Sequence, residues 1–124
     1  MIGWWIVIST QTPEERSRHS EDRKSFILAT WEVGLGGLDW LEGLVARGTG
    51  RKIRGDGYPN TYLASADVVL PLLVDGPPAH NGPMILGDDY VMPAKWFGSI
   101  EMHRDRMEAC PDGQQLTIEA WDLS

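Results

Sequence analysis

Cysteine is nearly absent: Cys110 is the single one in 124 residues. An internal disulfide is therefore excluded, and so is a zinc site built on several cysteines. A reducing, cytoplasmic compartment is the expectation. Long apolar runs are lacking too. The opening stretch, Met1 to Ile8 (MIGWWIVI), is too short to span a membrane and has no basic residues around it. It reads as a buried strand, not as a signal peptide or an anchor, and no membrane association is expected. Positive charge is in short supply, with 11 Lys and Arg against 18 Asp and Glu and a net charge of −7. General nucleic-acid binding requires a positive surface, as does adhesion to anionic lipid, so neither is expected.

What is present fits one ordinary globular domain over residues 1–124, with 42% hydrophobic and 23% charged residues. Gly3 to Ser9 is β-branched and aromatic, with Trp4, Ile6 and Ile8 on one face and Trp5 and Val7 on the other. Both faces are apolar, which predicts a central strand. Thr12, Pro13 and Glu15 form a helix-start pattern, a capping box with proline at the first helical position. Phe26 to Val33 fits a strand or a helix. Leu38 to Arg47 carries Leu38, Leu41, Leu44 and Val45 on one helical face, with Gly48 as the stop.

Further on, Arg51 to Arg54 and Thr61 to Ala64 read as two strands joined by turn residues. Ser65 to Leu73 reads as a short helix that Pro71 breaks. Asp75 to Gly87, with its prolines and glycines, is expected as a loop held by Met84, Ile85 and Leu86. Asp88 to Met92 and the region of Ile100 and Met102 are expected as strands, and Arg104 to Cys110 as one or two helical turns. Leu116 to Trp121 is the last strand, with Thr117, Glu119 and Trp121 on a solvated face. The fold class is α+β: about four to six short strands in a mostly antiparallel or mixed sheet, one main amphipathic helix over 38–47, and short additional helices.

Four groups of residues invite a chemical reading. The first is Gly34, Gly36 and Gly37, a short glycine turn before a helix where backbone N–H groups could hold an anion. It lacks the third glycine of a dinucleotide fingerprint and the lysine of a phosphate loop. The second is the basic stretch Arg47, Arg51, Lys52 and Arg54, followed by Tyr58 and Tyr62. On a strand its charges divide between two faces, as they do on a charge-protected sheet edge.

The third is the acidic middle, with Asp88 and Asp89 beside Tyr90, and Trp96 a little further on. No metal-ligand spacing accompanies the aspartates, so no metal and no cofactor are expected. The fourth is His103 between Glu101 and Asp105, which on a strand would share a face, with Cys110 as a conceivable nucleophile. No hydrolase or deaminase signature accompanies them, so no catalytic residue is assigned.

These readings lead to a small acidic protein that binds a macromolecular partner, most simply a protein, without catalysis. An accessory or inhibitory factor of a phage or mobile element acting on a host system fits the size and charge. Asp88, Asp89, Tyr90 and Trp96 would be its contact residues, an aromatic anchor in a polar rim. The alternative is a small-molecule binder or small enzyme for a nucleotide-like or phosphorylated ligand, using Gly34, Gly36, Gly37, Arg51, Arg54 and Tyr58. A homo-oligomer is compatible with either.

Overall fold

Strand content follows directly from the β-branched and aromatic runs. In the computed structural model, which describes residues 3–17, 26–55, 59–73, 84–86, 90–92 and 97–122, eight strands are formed. They are β1 (Trp4–Ser9), β2 (Ile27–Val33), β3 (Gly50–Arg54), β4 (Asn60–Ser65), β5 (Met84–Leu86), β6 (Tyr90–Met92), β7 (Phe97–Met102) and β8 (Gln115–Asp122). Four short α-helices accompany them: α1 (Pro13–Ser17), α2 (Asp39–Ala46), α3 (Ala66–Val69) and α4 (Arg104–Ala109). Six strands make one sheet in the order β3-β4-β8-β1-β2-β7, and β5 pairs with β6 in a separate ribbon. Every pairing in both is antiparallel.

The central place expected for the first strand is where β1 lies, between β8 and β2. Phe26 to Val33 resolves as strand, because its residues pair along the whole length of β1. The capping box forms as its spacing requires: Thr12 N–H donates to Glu15 Oε1 at 3.0 Å, and Glu15 N–H to Thr12 Oγ1 at 3.2 Å.

Three expectations change. The helix over 38–47 is one of several short helices: it spans Asp39–Ala46 and is entered through a 3-10 turn, Leu35–Leu38. The Ser65 to Leu73 helix likewise divides, into α3 and a 3-10 turn at Leu70–Leu73, with Pro71 inside that turn. Met84, Ile85 and Leu86, expected in a loop, form β5, since Tyr90–Met92 supplies a partner edge.

The core lies on one face of the large sheet. Ile6 and Ile8 stand in register with Trp31 and Ala29 on β2 and with Ala120 and Ile118 on β8. Tyr62 and Ala64 continue that face through β4. Leu41 and Leu44 of α2 are buried in the same cluster, as are Val69, Leu73 and Met107. Trp31 is fully buried, with Trp4 and Trp40 partly buried against the cluster. Full burial of side chains this large stabilises by about 1.5–3 kcal/mol each.

Helix α2 ends where Gly48 takes φ +78°, a left-handed conformation that costs a glycine little. Gly48 N–H donates to the Val45 carbonyl at 3.1 Å and Thr49 N–H to the Leu44 carbonyl at 2.9 Å. This double closure turns the chain sharply into β3.

Candidate binding face

Alternation along the strands gives the sheet a second face, opposite the core. β1 contributes Trp5, Val7 and Ser9 to it. In register beside them stand Glu32 and Thr30 on β2, and Trp121, Glu119 and Thr117 on β8. Glu101 on β7 lies opposite Thr30, and Thr61 on β4 opposite Glu119.

One end of this face is closed by the chain that leaves β1. Thr117 Oγ donates to the Gln11 carbonyl at 2.6 Å, and Gln11 N–H donates to Ser9 Oγ at 3.1 Å. Thr117 is buried as a result, so the solvated strand face expected at Thr117, Glu119 and Trp121 is wet only at Trp121. Glu119 is 8% exposed and Trp121 36%.

Beyond that closure the face opens into a hollow of about 640 Å³, lined by Trp5, Val7, Ile27, Thr30, Glu101, His103 and Trp121. Its floor is Val7 and Thr30, both buried. Two tryptophans, Trp5 and Trp121, lie directly opposite one another on neighbouring strands. The other wall is polar: His103 Nε2 lies 4.0 Å from Glu101 Oε1.

His103 is held there by its backbone, whose N–H donates to the Leu28 carbonyl at 2.9 Å. Arg106 Nη1 donates to the Ile27 carbonyl at 2.8 Å and ties α4 to the end of β2. The hydroxyl of Thr30 is buried and has no hydrogen-bond partner among the described residues. A buried hydroxyl left this way typically costs about 1–3 kcal/mol.

The geometry separates several residues that sequence spacing had grouped. Glu101, His103 and Asp105 do not share a strand face, because β7 ends at Met102 and Asp105 lies in the first turn of α4. Cys110 is a poor nucleophile here: burial, then the Asp112 carboxylate, push its thiol pKa upward, away from the reactive thiolate.

The glycine turn satisfies itself, with Gly37 N–H donating to the Gly34 carbonyl at 2.9 Å. A side chain at Gly37 would collide with Val33, so close packing accounts for this glycine. Along the basic strand, Arg51 faces Leu63 and Lys52 faces Tyr62, on opposite sides of the sheet. Lys52 Nζ is spent on Glu42 Oε1 at 3.0 Å. Arg54 is opposite Thr61, at the β3 edge of the second face.

Asp88, Asp89, Trp96 and Tyr58 lie outside the described residues, as does Gly55–Asn60 turn geometry at positions 56–58. Tyr90 begins β6, and Gly36 lies within the 3-10 turn. Among the described residues, no group of three His, Cys, Asp or Glu side chains is placed to hold a metal ion. No helix among them is long and apolar enough to cross a membrane.

Trp5, Val7, Ile27, Thr30 and Trp121 were not singled out as a site by sequence. Alternation places Trp5 and Trp121 each on one face of its own strand, but only the β1–β8 register puts them side by side. Comparison of the chain with protein-family models, with curated proteins and with solved structures finds no match.

Proposed function

We propose that this chain is a non-catalytic binding protein whose contact surface is the open part of the second sheet face. The observation that carries the reading is the hollow itself. Four strands and the start of α4 converge on it, and it joins an aromatic wall, Trp5 and Trp121, to a polar one, Glu101 and His103. Tryptophans beside a polar rim are the composition of interface anchors. The partner is a protein, in keeping with the acidic balance of the chain. The accessory or inhibitory role suggested by size and charge has no structural observation behind it.

A small molecule is the second reading, and it moves from the glycine turn and the basic hairpin to this same hollow. About 640 Å³ lies within the range of ligand pockets, roughly 300–1,000 Å³.

The test compares variants of the immobilised protein in capture from lysate. Trp121→Glu and Glu101→Lys alter the face at exposed positions, and Leu72→Glu serves as a control in the 3-10 turn at Leu70–Leu73, outside the hollow. With folding checked by circular dichroism, the expected result is a set of captured proteins lost with both face variants and kept with the control. Capture unchanged by the face variants overturns the proposal. Capture of nothing, with a small-molecule panel raising the wild-type melting temperature but not that of Trp121→Glu, selects the second reading.

A further inference from the structure

Which chemistry fits the hollow follows from its hydrogen-bonding character and its charge. We infer that it receives a cationic side chain, lysine or arginine, from a basic segment of a protein partner. The inference rests on the reading of this face as the contact surface.

Two independent features agree. The first is the tryptophan wall: Trp5 and Trp121 stand opposite each other across β1 and β8, and Trp121 is exposed. Indole faces are the best aromatic partners for ammonium and guanidinium groups.

The second is charge. Glu101 lines the hollow, Glu32 stands opposite Trp5, and Glu119 stands opposite Val7. Among the described residues, the basic side chain in the lining is His103, beside Glu101. Arg106 lies near the Ile27 end, with its guanidinium on the Ile27 carbonyl. Arg51 and Arg54 belong to β3, at the far edge of the sheet from the hollow. Glu101 in the lining, with Glu32 beside Trp5, thus favours a cation over an anion.

Carboxylates only accept hydrogen bonds, and Glu101 is exposed at the wall of the hollow. A lysine brings three donors and an arginine five, with no acceptor to clash with Glu101. The cation would pack against Trp5 and Trp121 while its N–H groups bond Glu101.

The experiment is a titration followed by tryptophan fluorescence and calorimetry, on the full chain. The probes are short peptides alternating serine with lysine, arginine, acetyl-lysine or glutamate. The expected result is saturable binding of the lysine and arginine peptides, with the acetyl-lysine peptide weaker by about tenfold. Trp121→Ala and Glu101→Gln, both at exposed positions, are each expected to weaken the lysine peptide about five- to tenfold.

Equal binding of the acetyl-lysine peptide overturns the inference, and so does lysine-peptide binding unchanged by either variant, which marks diffuse attraction to an acidic protein. If the acetyl-lysine or glutamate peptide binds as well as the lysine peptide and Trp121→Ala abolishes that binding, the face survives as a contact surface and its preference for cations fails. If no peptide saturates, the inference fails, and the lysate comparison decides whether the face fails with it.

Discussion

The two faces of the six-stranded sheet are built from the same strands by the same alternation, yet they have been put to different uses. On the core face, Ile6, Ile8, Trp31, Ile118 and Leu116 are closed over by helices and carry almost no exposed surface. On the other, Val7 and Thr30 are just as buried in the floor, but the tryptophans and charges around them form the walls of an open hollow. Burial alone therefore does not separate structure from site in this molecule. What separates them is cover: helices close over the core face, while the other face stays open between Trp5, Trp121, Glu101 and His103.

The largest expected contrast sets the two faces against each other directly. Leu41→Ala removes a side chain wholly enclosed between α2 and the sheet, and is expected to cost about 2–5 kcal/mol. Trp121→Ala deletes a larger side chain from the wall of the hollow, yet its expected cost is smaller, about 1–2 kcal/mol, because that side chain is 36% exposed and its loss opens no enclosed cavity. Urea unfolding of both variants measures the gap, and each kcal/mol corresponds to about 3–5 °C in melting temperature for a domain of this size. A Trp121→Ala cost equal to that of Leu41→Ala would mean that the second face is core as well.

A narrower comparison stays within the second face and uses one chemical change twice. Thr117 and Thr30 are both buried β-strand threonines, and valine matches threonine closely in shape. Thr117 Oγ donates to the Gln11 carbonyl at 2.6 Å, whereas the Thr30 hydroxyl has no partner among the described residues. Thr117→Val is expected to lower stability by about 1–3 kcal/mol, since the Gln11 carbonyl loses its donor. Thr30→Val is expected to be neutral or to stabilise by up to about 1 kcal/mol. Chemical denaturation of the pair reads the difference. Equal losses would show that Thr30 is as well bonded as Thr117.

How much of this was legible in the sequence follows from how far apart the determining residues lie. The capping box at Thr12 and Glu15 and the stop at Gly48 involve neighbours in the chain, and both form as their spacing indicates. The central position of β1 was legible because both of its faces are apolar. The division of Arg51 from Lys52 across the sheet was legible from alternation alone.

Phe26 to Val33 was not decidable locally; its pairing partners on β1 and β7 settle it as a strand. The hollow was hidden for a stronger reason. It draws Trp5 from β1, Thr30 from β2, Glu101 from β7 and Trp121 from β8, and no window of sequence contains them together. Scanning for compact motifs favoured contiguous groups such as Gly34 to Gly37, where packing against Val33 explains the glycine. His103 and Glu101 were the part of the site that proximity in sequence could show, although the helix start at Arg104 takes Asp105 out of their company.

The smallest expected effect tests a polar link on the helix-covered face. Tyr62 is buried there, and its hydroxyl donates to Glu42 Oε1 of α2 at 3.1 Å. The same carboxylate oxygen receives Lys52 Nζ, which lies 5.7 Å from the centre of the Tyr62 ring. Burial first, then the Glu42 charge, push the Tyr62 phenol pKa well above its ordinary value.

The sign of the resulting pH dependence is fixed by linkage. Below about pH 10 the phenol is protonated in both folded and unfolded chains, and it adds no slope. Above that, the unfolded chain ionises first, so stability falls as pH rises toward the folded-state pKa. Tyr62→Phe removes this proton while leaving Glu42 to Lys52, so it should cost about 1 kcal/mol at neutral pH and lose less stability than wild type above about pH 10. The difference between the two alkaline melting curves isolates the phenol. Parallel curves would mean that the hydroxyl meets solvent in the folded chain, and that the helix-covered face, too, holds an open polar site.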